Sequence, residues 1–66
     1  MNAQMLKEKI KKKGMNVEML AEKIGIDKST MYRKLNMDIS TTVAEAVKIK
    51  EVLALTAEDT KDIFFG

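Results

Sequence analysis

Sixty-six residues make one small domain, in which folding hides only roughly 60% of the unfolded chain's surface, so stability depends on well-formed helices. The chain contains no cysteine, histidine or proline, which excludes a disulfide framework, a Cys/His zinc site and a thiol or imidazole nucleophile, and leaves helix interiors unbroken. The net charge of +2 hides an asymmetry: residues 1–36 carry nine Lys/Arg against four Asp/Glu, a balance of +5, whereas residues 37–66 carry three against six, a balance of −3.

Five helical segments are predicted, with no repeat, linker or low-complexity tract. Helix 1 runs from about Ala3 to Lys13, with Leu6 and Ile10 on one apolar stripe and Gly14 at its C-terminal end. Its lysines, Lys7, Lys9, Lys11, Lys12 and Lys13, form either a solvated face or a surface for a polyanion. Helix 2 begins after Asn16, whose side-chain oxygen suits an orphan backbone N–H, and buries Val17, Leu20, Ala21 and Ile24. Gly25 supplies the positive φ of a sharp turn, Ala21 leaves room for a crossing helix, and Ile26 plugs the turn from beneath. Helix 3 starts after Asp27 and turns Met31 and Leu35 inward. Helix 4 opens with Thr42-Val43-Ala44-Glu45, a capping box, and presents Ala46, Ile49 and Leu53 to the core. Helix 5 opens with Thr56-Ala57-Glu58-Asp59, a similar box with a shorter acid, and ends in Ile63-Phe64-Phe65.

Helices 2 and 3, over about residues 17–36, read as a helix-turn-helix. On a helix turning about 100° per residue, Lys28, Ser29, Tyr32 and Arg33 cluster on one side and Met31 and Leu35 on the other. Arg33 is the only arginine, against eleven lysines, and its planar fork can grip the O6/N7 edge of guanine with two hydrogen bonds. Lys28 can donate to guanine or to a phosphate, Ser29 to either, and the Tyr32 ring can pack on a thymine methyl group. Each also has a plainer role: Lys28 as a phosphate contact, Ser29 as an ordinary first-turn residue, Tyr32 as a side chain packed on helix 2.

The stretches Leu20-Ala21-Glu22-Lys23-Ile24-Gly25-Ile26, Ser29-Thr30-Met31-Tyr32-Arg33-Lys34-Leu35-Asn36, Thr42-Val43-Ala44-Glu45-Ala46 and Asp62-Ile63-Phe64-Phe65 resemble the Cro and CI-type repressors of temperate bacteriophages, the lambda-repressor-like helix-turn-helix family. The resemblance covers essentially the whole chain. It implies an all-α, compact five-helix domain over residues 1–66, with helix 3 in the major groove of double-stranded DNA and helix 2 across the phosphate backbone. It implies base reading by Lys28, Ser29, Tyr32 and Arg33, and phosphate contacts at Asn16 and Val17, through their backbone amides, and at Asn36; among the lysines, Lys9 and Lys34 are the leading phosphate candidates. Two positions depart from the family pattern. Met37 follows Asn36 where many members have glycine, so Asn36 is expected to supply a left-handed stop itself. Lys34 stands where relatives often bury an apolar side chain; either its stem covers the core while the ammonium reaches a phosphate, or helix 3 is slightly rotated.

Consecutive helical positions cannot all face one core, so one of Ile63, Phe64 and Phe65 is expected at the surface. Phe64 and Phe65 are the candidates for a homodimer interface that pairs two recognition helices on a palindromic operator; Phe65 folding back over helix 1 is the alternative. Among the carboxylate groups Glu18/Glu22 and Glu58/Asp59/Asp62, acids in a first turn are favoured by the helix dipole and none has an apolar setting that would raise a pKa, so no catalysis, cofactor, metal or small-molecule substrate is expected. No apolar run approaches the roughly 18 residues that span a bilayer, and the N-terminus lacks the apolar core of a signal peptide, which predicts a cytoplasmic protein. The rival to DNA binding is a helix-turn-helix module that binds another regulator or a toxin.

Overall fold

The computed structural model describes residues 1–37 and 41–65. Among them the chain forms five α-helices and no strand: α1 (Ala3–Lys12), α2 (Val17–Ile24), α3 (Lys28–Asn36), α4 (Val43–Leu53) and α5 (Ala57–Thr60), the last running directly into a π-helical turn, Lys61–Phe65. Helix α2 is the hub, packing against α1, α3 and α4, while α1 also meets the π-helical turn.

Every helix start has a side-chain cap. Asn2, Asn16, Asp27, Thr42 and Thr56 each accept a hydrogen bond from a first-turn backbone N–H, satisfying a donor that has no partner inside the helix. At α4 the box is complete: Thr42 Oγ1 accepts from Glu45 N at 3.1 Å, and Glu45 Oε1 accepts from Thr42 N at 3.1 Å. Asn16, Asp27, Thr42 and Thr56 are the caps expected from the sequence, and Asn2 adds a fifth.

Three helices also end alike, each on a residue in the left-handed region. Gly14 (φ 70°), Gly25 (φ 79°) and Ala54 (φ 51°) follow α1, α2 and α4. The N–H of each bonds three residues back, at 2.9 Å to Lys11, 3.2 Å to Glu22 and 3.3 Å to Glu51. The next N–H reaches five residues back: Met15 to Ile10 (3.1 Å), Ile26 to Ala21 (3.0 Å) and Leu55 to Lys50 (3.0 Å). This paired closure satisfies terminal carbonyls and turns the following side chain back on the helix it ends. Leu55 is buried, and Met15 and Ile26 pack against the core.

The core is apolar throughout the described residues. Leu6, Ile10, Leu20, Ala21, Ile24, Met31, Leu35, Ile49, Leu53, Leu55 and Ile63 form one cluster, with no buried polar or charged side chain. Ala46 is buried as expected, whereas Val17 is only half-buried at the margin. Asn2 N donates to Ile63 O at 2.6 Å, which joins the start of α1 to the π-helical turn.

Two expectations are corrected. Asn36 does not adopt the left-handed conformation; it is the last residue of α3, and Met37 ends the helix at φ −108°, ψ 8°, with its N–H bonded to Arg33 O. A side chain at either position is therefore unstrained, and no glycine is needed. The connection from Met37 to Thr41 lies largely outside the described residues. Helix 5, expected to continue to Phe65, stays α-helical only to Thr60. There Thr60 Oγ1 donates to Thr56 O at 2.9 Å, a carbonyl that also accepts Thr60 N at 3.0 Å, the kind of side-chain back-bonding that distorts a helix. The wider turn that follows buries Ile63, half-buries Phe64 and leaves Phe65 outside.

Ala54 holds a conformation that costs an L-residue roughly 1–2 kcal/mol, while glycine's greater freedom in the unfolded chain offsets about 0.4–1 kcal/mol of any relief. Ala54→Gly is therefore expected to stabilise the domain by about 0.5–1 kcal/mol, read as a higher urea midpoint at unchanged slope. A lower midpoint would show that the left-handed turn is not strained.

Candidate nucleic-acid interface

Helix α3 sorts its residues by face. Met31 and Leu35 are buried, whereas Lys28, Ser29, Tyr32, Arg33 and Asn36 are exposed. Tyr32 keeps 41% of its surface accessible, so it is not packed away against α2. Asp27 Oδ2 accepts from Ser29 N at 2.9 Å, fixing the first turn through the backbone of Ser29. The face that results has a cation at its start, a hydroxyl, an aromatic ring and one guanidinium, all on a rigid element.

The turn that aims this face is closed by Gly25, and Ala21, 1% exposed, sits within the core beneath it. At the start of α2, Asn16 Oδ1 accepts from Met19 N at 2.8 Å. That bond anchors the helix end, whose remaining first-turn amides and dipole favour an anion. Asn16 is exposed and Val17 half-buried.

The two candidate lysines are differently placed from the rest. Lys9 Nζ lies 3.3 Å from Asp59 Oδ2, joining α1 to α5. Lys34 Nζ lies 3.2 Å from Glu45 Oε1, joining α3 to α4, and the two side chains are only 12% and 19% exposed. Lys34 is thus largely covered, and its ammonium is directed to a carboxylate of the same domain. The sequence held a signal for this: Lys34 was out of pattern for its position, and Glu45 lay at the third position of the next helix.

Both carboxylates titrate low. For Glu45, burial pushes the pKa up, but the Thr42 N–H and the Lys34 ammonium more than offset it and hold the group below its ordinary value of 4.5. For Asp59, desolvation again raises the pKa, and the hydrogen bond and charge of Lys9, with the hydrogen bonds from Thr56, outweigh it.

Residues 5–59 match the Cro/C1-type helix-turn-helix DNA-binding domain. Coverage of this extent, on a fold with the helix-turn-helix at α2 and α3, places the chain in that family, and it is accordingly a DNA-binding domain. Comparison with curated proteins and with solved structures gave no match. No helix among the described residues is long and apolar enough to cross a membrane.

A carboxylate whose pKa is depressed on folding contributes stability above its unfolded value and loses it as pH falls toward the folded one. Wild-type stability should therefore drop on acidification through and below 4.5, and Glu45→Gln, which keeps an acceptor for Thr42 N, should show a smaller drop. Urea unfolding of both proteins at neutral and acid pH measures it; equal drops would mean that folding does not hold the Glu45 carboxyl below its unfolded value.

Proposed function

We propose that the domain is a cytoplasmic transcriptional regulator of the Cro type, a repressor that binds a palindromic operator in double-stranded DNA as a homodimer. In this reading α3 lies in the major groove and reads bases through Lys28, Ser29, Tyr32 and Arg33, and the start of α2 and Asn36 position it on phosphates. The observation that carries the reading is the joint exposure of those four side chains on α3 while Met31 and Leu35 are buried. Lys9 and Lys34 are each engaged with a carboxylate, Asp59 and Glu45, so a phosphate contact by either would have to share or displace it. The charge asymmetry supports the orientation, with the basic half toward the polyanion.

A second copy is the occupant proposed for the apolar surface formed by Val43 (72% exposed), Phe65 (70%) and the half-buried Phe64, which line one shallow groove. One half-site of this size provides limited specific affinity, so a paired arrangement suits an operator-binding protein. The surface also suits a different protein partner, and the tests separate the two.

Arg33→Ala is expected to weaken the preferred operator by about 1–3 kcal/mol and to relax one base position, with random DNA bound nearly as before. Equal losses on both DNAs would make Arg33 a phosphate contact, and no loss would remove α3 from the interface. Phe65→Asp should stay folded by circular dichroism yet lose cooperative binding to a two-half-site operator; retention of wild-type cooperativity would exclude Phe65 from the pairing surface.

A further inference from the structure

The recognition helix has few restraints of its own. Helix α3 is nine residues long and buries only Met31 and Leu35, which lie one turn apart on a single line along its axis. Such a line fixes where the helix sits but resists rolling about itself weakly, since Lys28 and Tyr32 on one flank are exposed and Thr30 and Lys34 on the other are only half-buried. Its principal packing partner is α2. Lys34 occupies one flank, next to Leu35 and half-buried, and its ammonium bonds across to α4 at 3.2 Å.

The acceptor is itself held. Glu45 sits at the third position of α4, and the same oxygen that meets Lys34, Oε1, accepts from Thr42 N at 3.1 Å. One carboxylate oxygen thus closes the start of α4 and tethers α3, on the two sides of the connection 37–42. At low exposure such a pair is weakly screened by salt, and its carboxylate pays little rotamer entropy because the cap has already ordered it.

We infer that Lys34 and Glu45 are positioning residues for DNA recognition: the pair sets the roll of α3, and with it the depth at which Tyr32 and Arg33 present themselves to bases. This rests on the reading of α3 as the base-reading helix. Arg33 precedes Lys34 by one residue, about 100° around the axis, so a roll released at Lys34 moves the guanidinium sideways relative to a base edge. A bidentate contact tolerates little such displacement, whereas attraction to phosphates barely depends on it. Lys34 on this account is not a source of phosphate affinity.

The test compares the wild-type domain with Lys34→Met, Glu45→Gln, the double variant and Lys34→Arg on a selected operator and on random duplex, across salt concentrations. Methionine keeps the apolar stem, and glutamine keeps the acceptor for Thr42 N. Both single variants are expected to lower operator affinity by roughly 2- to 150-fold, the range of coupling between contacting residues, with the double variant no worse than either. Binding to random DNA and the salt slope should stay essentially unchanged, and Lys34→Arg should recover discrimination. The two single substitutions change net charge in opposite senses, so a loss of the same sign in both cannot come from overall electrostatics. A salt slope reduced by about one in Lys34→Met, together with tighter binding by Glu45→Gln, would make Lys34 a phosphate contact and overturn the inference. Operator discrimination unchanged in both variants, even with a lower melting temperature, would overturn it equally. A wild-type domain that shows no preference for any operator would instead refute the base-reading role of α3 on which it rests.

Discussion

The left-handed turn at Gly25 is the constraint through which the core reaches the functional surface. Its φ of 79° lets the chain turn sharply within two residues of the end of α2, with Gly25 N–H and Ile26 N–H closing onto Glu22 and Ala21. Beyond its two chain neighbours, no atom lies within 4 Å of where a Cβ at Gly25 would stand, so the glycine answers a need of the backbone rather than of space. With the turn fixed, burial of Met31 and Leu35 against α2 decides which face of α3 looks outward. The exposed cluster of Lys28, Ser29, Tyr32 and Arg33 is the complement of that buried pair.

A second economy lies in the acids that begin α4 and α5. Glu45 and Asp59 each occupy the third position of a helix whose cap is threonine, where the helix dipole favours a negative charge. Each also meets a lysine from the basic half of the chain, Lys34 and Lys9 respectively. The segregation of charge along the sequence therefore has an internal use. Lysines of α1 and α3 are drawn to the N-terminal ends of α4 and α5, leaving the remaining basic side chains to face outward.

Much of this was legible beforehand because short-range rules carry it. Asn16, Asp27, Thr42 and Thr56 announce helix starts by their own chemistry, Gly14 and Gly25 announce ends, and apolar spacing identifies the buried faces. What was not legible depends on the three-dimensional closure. Ala54 adopts a glycine conformation because Leu55 must return to the core, and alanine carries no sign of it. Asn36 suggests a left-handed stop by composition, yet the helix continues through it and ends at Met37. The π-helical turn arises where Ile63 is drawn inward at the chain's end, beyond the reach of helical periodicity. The partners of Lys9 and Lys34 are 50 and 11 positions away in sequence, and pairs between helices leave only the faint mark of a lysine in an unusual place.

The central claim is that this domain reads DNA sequence through the exposed face of α3. Selection of binding sites from a random duplex library by the wild-type protein tests it directly. The account predicts enrichment of one short motif, present as two inverted copies with centres one helical turn apart, about 10–10.5 base pairs or a multiple of it. Recovery of unenriched sequence, with binding governed by salt and duplex length alone, would contradict it.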